Sequence, residues 1–360
     1  MIDNKNEDKP QKMDEEKLGQ ASPEEIVDDL SVRPIPKLQQ VLGPEGYHLI
    51  KGIATNPLSI TGLIIMSFFI LISIFAPLIA PPPQPKDPYI IPRDGFSHDP
   101  KPPGTVWTRN PPPKAFWLKP LTGSDKWVHL LGTTSGQWDV FYGVVWGTHT
   151  AFYTGLVVTF AMVLIGLLIG SIAAYYGGVI DMVLMRITDI FLAFPYLVAA
   201  LTLSAIITPL FGKSLWPAMT ALIVFGWMGY ARLVRGDILS VRERDYVTAA
   251  RVIGAKDSRI LIRHILPNAI FPTLVWASMD IGSVVLSFAA LSFLGVGVEV
   301  GYADWGQIIA FARSWITHLS EYWYIVVYPG IALVLFVLAW NLIGDAIRDI
   351  FDPRMRGTKT

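Results

Sequence analysis

The sequence predicts an all-α integral membrane protein with six transmembrane helices, and three observations carry that reading. Of its 360 residues, 52% are hydrophobic and 16% charged, with a mean hydropathy of +0.44, a balance too apolar for an ordinary water-soluble domain. Long stretches carry no charge at all, Leu58–Ala80 and Val140–Ile180 among them, and about twenty apolar residues cross the hydrocarbon core. The charge that remains sums to zero but is segregated: positions 232–267 hold eight Arg/Lys against four Asp/Glu. The positive-inside rule puts that loop in the cytoplasm, and the topology follows from it.

Residues 1–55 read as a cytoplasmic tail, too polar and charged to bury enough surface to offset ordering. Ser22-Pro23-Glu24-Glu25 can cap one short helix, and residues 37–52 can lie along the membrane surface. The opening MIDNKNEDKP has no basic segment joined to an apolar core, so no cleavable signal is expected. The first span, 56–80, ends at Pro81-Pro82-Pro83. Positions 81–140 follow as an extracytoplasmic insert with nearly half of the chain's 27 prolines, a density that favours extended and polyproline II backbone. Its Trp107, Trp117, Trp127 and Trp138 are expected chiefly at the lipid interface.

The remaining spans form a five-helix core over 141–346. Span two is expected over Ala151–Tyr176, with Gly166 and Gly170 spaced for close helix approach. Span three opens with Asp181, Arg186 and Asp189, runs to about Thr208, and should kink at Pro195; Arg186 and Asp189 can pair on one face. The turn after it contains Gly212-Lys213-Ser214, but a phosphate-binding loop needs a glycine where Ile207 stands and a preceding strand. Span four is expected over Leu215–Leu233, span five from Ile270 to Gly295, and span six over Tyr324–Ile343. Arg348, Arg354, Arg356 and Lys359 hold the tail 347–360 inside. Asp280 stands in the middle of span five, where a carboxylate costs about 2.5–3.5 kcal/mol; it either lines a translocation pathway or bonds a neighbouring helix.

Within the cytoplasmic loop 236–269, helix formers follow Asp245, Gly254 interrupts them, and a second helix can start at Asp257 and stop at Pro267. Ala249-Ala250, Gly254 and Leu266-Pro267 resemble the EAA loop of ATP-binding-cassette importer permeases, with Thr248 in place of the usual Glu. Further segments resemble the second permease subunit of the dipeptide and oligopeptide import class. They are Asp181–Pro195, Asp245–Pro272, Leu291–Gly297, Asp304-Trp305-Gly306 and Asn341–Asp345 through Asp352-Pro353-Arg354. The resemblance implies that Thr248, Ala249, Ala250, Gly254, Ala255, Leu266 and Pro267 receive motion from an ATPase. It further implies a second homologous permease, two cytoplasmic ATPase subunits that bind the ATP, and an extracytoplasmic solute-binding protein. No cofactor is expected in this chain, and members of the class also carry oligosaccharides and nickel.

Other functions fit less well. An ion-gradient-driven carrier calls for several intramembrane acids or inverted repeats, and one such acid is evident. An enzyme is not expected, because the six histidines are scattered and no HExxH occurs. With no cysteine, disulfides and thiolate metal sites are excluded. Four acids dilute the basic loop and aromatics are nearly absent from it, which argues against nucleic acid.

Overall fold

Apolar stretches that cannot leave their backbone unpaired in lipid become helices, and the computed structural model shows them so. It describes residues 56–351 apart from 110, 124 and 125. The tails 1–55 and 352–360, with the expected cap at Ser22, the surface stretch and Arg354, Arg356 and Lys359, lie outside the described residues.

The helices are α1 (Pro57–Ile79), the short α2 (Leu118–Thr122), α3 (Val140–Tyr176), α4 (Gly178–Leu192), α5 (Tyr196–Phe211) and α6 (Leu215–Arg242). Then come α7 (Asp245–Val252), α8 (Asp257–Ile260), α9 (Leu266–Ala269), α10 (Phe271–Phe293), α11 (Trp305–Phe311), α12 (Leu319–Tyr322) and α13 (Tyr324–Phe351). Five of these, α1, α3, α6, α10 and α13, are each long and apolar enough to span a membrane, and α4 with α5 makes a sixth, broken span. Large apolar side chains stay exposed along them, Ile64, Phe160, Leu168 and Val334 among others. This is the surface a bilayer covers.

Three expectations about the spans need correction. Span three is broken rather than kinked: α4 and α5 meet at 85° across Ala193–Pro195. Pro195 has no N–H and disfavours helix in the residue before it; it stands as a β-region cap, ψ 115°, in front of α5. The second correction is that α3 begins at Val140 rather than Ala151, because Asp139 caps it by accepting from the Tyr142 N–H at 2.9 Å. At 37 residues it is about 55 Å long and outreaches the hydrocarbon core. Finally, α6 runs on to Arg242 rather than ending at Leu233, since Val234 and Ile238 are buried in the same cluster as Ala174 and Tyr175 of α3.

α3 and α6 pack along their length. Gly166 and Gly170 make that possible: a β-carbon at Gly166 would lie 2.4 Å from Tyr230 Cβ, and one at Gly170 2.5 Å from the Ala231 carbonyl oxygen. α10 packs on α13, and α13 on α1.

At one end of the bundle the segment 80–139 folds with residues 298–324 into a cap. Extended backbone there makes isolated antiparallel bridges, Ile90 with Tyr302 and Val106 with Val128 among them, in keeping with its proline content. The lipid-interface expectation for the tryptophans fails for Trp107 and Trp127, which are buried in the cap's own core. Trp138 lies under the Arg93 guanidinium at 4.3 Å. Three aromatic donors satisfy carbonyls that the proline run leaves open after α1: Trp117 to Ile79 at 2.8 Å, Trp146 to Ala80 at 2.9 Å and Tyr142 to Pro81 at 3.0 Å.

A charged group is buried in this cap. His129 Nδ1 lies 2.6 Å from Asp139 and Nε2 lies 3.2 Å from Asp94, while Lys101 Nζ reaches Asp94 at 2.5 Å. Both imidazole nitrogens therefore face carboxylates. Burial pushes the Asp94 carboxyl up; Lys101, the Thr108 and Arg109 backbone N–H groups and His129 outweigh it and hold it below the usual carboxylate range.

Candidate functional site

The residues singled out in the sequence fall into two places, a helical platform at the end of the bundle opposite the cap and a polar cluster in its middle.

The platform begins where α6 ends. α7 carries Thr248, Ala249 and Ala250, and its inner face buries Val247 and Ala250 in a cluster with Ile238, Ile260 and Ile265. Thr248 and Ala249 are on the open side. After α7 the chain turns at Gly254, whose φ of +78° favours glycine and whose missing side chain would meet nothing within 4 Å. Ala255 is half-buried beside the same cluster. α8 leads through a π-helical turn, Leu261–Ile265, into α9. Pro267 does not stop that helix, as the sequence suggested; it stands in the first turn of α9, where its missing N–H costs nothing, and the chain breaks three residues later at Ile270. Leu266 is half-buried and Pro267 exposed.

The platform's outer surface sets large apolar side chains among exposed charged ones such as Arg251, Lys256 and Arg259. Val252 and Ile253 are 81% and 83% exposed, and Tyr246 and Ile262 are also open. Its inner side is bolted to the bundle: the Tyr175 hydroxyl at the end of α3 donates to Asp257 at 2.6 Å, and Arg242 donates to the Ala174 carbonyl at 2.9 Å. Nearby, Arg235 grips Asp181 with two bonds of 2.6 Å, and Arg232 reaches Asp189 at 2.5 Å. The expected Arg186–Asp189 pair is therefore replaced by two ion pairs that join α4 to α6. Sequence reasoning missed Tyr175 and Asp257 as partners, since a separation of 82 residues leaves no periodic signal.

In the middle of the bundle Asp280 of α10 accepts from the Tyr230 hydroxyl of α6 at 2.7 Å, so the helix-to-helix bond anticipated for it exists. One turn earlier on α10, Trp276 lies with its ring 4.7 Å from that of Tyr230, in space left by Gly229, where a β-carbon would come within 2.5 Å of the indole. Gly229 and Trp276 wall a cleft of about 620 Å³ between α6, α10 and the end of α13, with Val275, Met279 and Arg348 also lining it. Among the described residues no three His, Asp or Glu side chains form a group that could hold a metal ion.

A bundle of apolar helices long enough to span a membrane, with a helical platform at one end and a cleft between its spans, is the architecture of a multi-pass membrane protein. Residues 166–357 match the model of the binding-protein-dependent transport system inner membrane component, and residues 52–103 that of the N-terminal transmembrane domain of oligopeptide transport permease C. The dipeptide transport system permease protein DppC of Alkalihalophilus pseudofirmus is 34% identical over 90% of this chain and 94% of its own length. The probable D,D-dipeptide transport system permease protein DdpC of Escherichia coli is 34% identical over 92% of this chain and 97% of its own. A chain of the inward-facing MetNI methionine transporter superposes with a TM-score of 0.49 at 19% identity, covering 58% of this chain and 96% of that one. The chain belongs to the family of binding-protein-dependent transport system inner membrane components. It is a multi-pass permease of the ATP-binding-cassette importer type, a transport component and not an enzyme. The match over 52–103 takes in positions 81–103, the start of the proline-rich segment, so that part is not foreign to oligopeptide permeases of this kind.

Proposed function

We propose that this permease imports peptides, working beside a second homologous permease, two ATPase subunits and a solute-binding protein. The platform faces the cytoplasm and the cap the outside, with both termini cytoplasmic. This orientation rests on the excess of Arg and Lys around the platform. Peptide as cargo is supported by the relatives, whose names specify dipeptides and which align over nearly their whole length. ATP is bound and hydrolysed by the partner subunits.

The observation that carries the coupling assignment is the platform itself. Its exposed Tyr246, Val252 and Ile253 offer an apolar wedge to a partner, and the Tyr175–Asp257 and Arg242–Ala174 bonds pass any displacement of that wedge to α3. Gly254→Leu tests it. A side chain at φ +78° costs about 1–2 kcal/mol and shifts the wedge without touching the spans. The variant should insert and purify normally while peptide uptake and transport-stimulated ATPase activity in the reconstituted complex fall at least about fivefold. Undiminished uptake would remove the coupling role.

A further inference from the structure

We propose that the outward face of α4 lies on the platform-side leaflet of the bilayer, with its apolar stripe among acyl chains and Arg186 on the phosphate of an anionic phospholipid. The proposal goes beyond peptide import and does not depend on the cargo.

The bend at Pro195 sets the direction of α4. α5 packs along α6, and α4 turns 85° away from α5, so α4 crosses the line of the spans instead of following it. Its ion pairs agree with that. Asp181 and Asp189 stand eight residues apart, about 12 Å along α4, yet they hold Arg235 and Arg232, which are about 4.5 Å apart along α6. A helix at a right angle to a crossing one lies close to the membrane plane. Its level is that of the platform: α4 follows directly on the end of α3, where Tyr175 bonds Asp257 and the neighbouring Tyr176 is exposed. Tyrosine at a span end belongs to the headgroup region.

The two faces of α4 differ in kind. On the inner one Thr188 is buried, and Asp181 and Asp189 are paired with α6. Val179, Val183, Arg186, Ile187 and Ile190 recur at helical spacing on the other, and all are exposed, Val179 at 72% and Ile190 at 62%. That stripe holds one cation and no acid, and none of the ion pairs among the described residues includes Arg186. A helix of this make lies in the interface, its apolar face at the acyl boundary. A protein covering the same face would have to bring a buried acid for Arg186. A lipid phosphate meets it at the surface, while the arginine stem stays along the apolar stripe.

The test uses the complete transporter in vesicles of phosphatidylcholine and phosphatidylglycerol. Val183→p-benzoylphenylalanine places a photo-reactive group on the stripe, and mass spectrometry identifies what it captures on irradiation. The same group at Phe160, exposed on α3, reports insertion, and at Val252 of the platform it gives the background. Position 183 should capture phospholipid as position 160 does, with phosphatidylglycerol enriched over its share of the bilayer about fivefold, the worth of one cation near a charged surface. Adding Arg186→Gln should return the captured lipids to the bulk ratio, and Arg186→Lys should keep the enrichment. Capture of the second permease or an ATPase subunit at position 183 overturns the proposal, as does the absence of a lipid adduct there while position 160 labels. Enrichment that survives Arg186→Gln overturns the assignment of the phosphate to that arginine. Each of these outcomes leaves the peptide-import reading as it stands.

Discussion

Asp304 sits where an ionised carboxylate is hard to keep. It caps α11 by accepting from the Gln307 N–H at 2.9 Å and is 4% exposed. Burial raises its pKa to about 6 against the opposing pull of the Gln307 N–H. A carboxyl whose folded pKa lies above its unfolded value stabilises most at low pH, and that contribution is lost as pH rises through about 6. The cost on reaching neutrality is roughly 3 kcal/mol. Asparagine caps as well as aspartate, so Asp304→Asn should flatten the dependence of the thermal midpoint between pH 4 and 7 and raise it at pH 7. A wild-type midpoint that does not change over that range would count against the assignment. Such residues were half legible in the sequence. Asp280 drew notice because a charge in an apolar run is conspicuous, but its partner Tyr230 is fifty positions away and looks like any other aromatic of a span.

At the scale of elements, the helix faces were easier to read than the helix ends. The G-x-x-x-G spacing at Gly166 and Gly170 marks the face on which α3 meets α6, and the backbone approach there leaves no room for a side chain. Gly170→Leu should therefore separate the two helices. Forced overpacking of this kind costs about 1–3 kcal/mol or more. The expected result is a lower thermal midpoint in detergent and a reduced yield of folded protein, while Gly330→Leu, at a position with nothing within 4 Å, should be close to neutral. The ends were misjudged for physical reasons. Hydropathy stops at the membrane surface, yet α3 and α6 continue beyond it on a cap at Asp139 and on burial of Ile238. At Pro195 one missing N–H and two restricted residues turn a predicted kink into a right-angled break.

For the whole molecule, the cap is the part the sequence disclosed least. Prolines announced irregular backbone, but the contacts that fold it join distant positions, such as Ile91 N–H to Gly301 at 2.8 Å and the Tyr324 hydroxyl to Lys101 at 2.9 Å. No local pattern encodes these. The buried His129, Asp94, Asp139 and Lys101 group unites the cap with the start of α3. Because the folded pKa of Asp94 is depressed, its contribution is complete above the unfolded value of about 4 and is lost as pH falls below it. Asp94→Asn removes one member of a buried charge set and should cost about 3–5 kcal/mol at neutral pH. The loss should appear as a lower thermal midpoint and faster proteolysis of 81–139, and it should shrink in acid.

One consequence follows from α3. Its Asp139 end is held by His129 and its Tyr175 end by Asp257, with 37 helical residues between them. A rod clamped at both extremities cannot shorten, so leaning one end sideways makes the other swing. One continuous helix thus joins the cap to the platform, with no flexible joint along its length in which a sideways displacement of either end would dissipate.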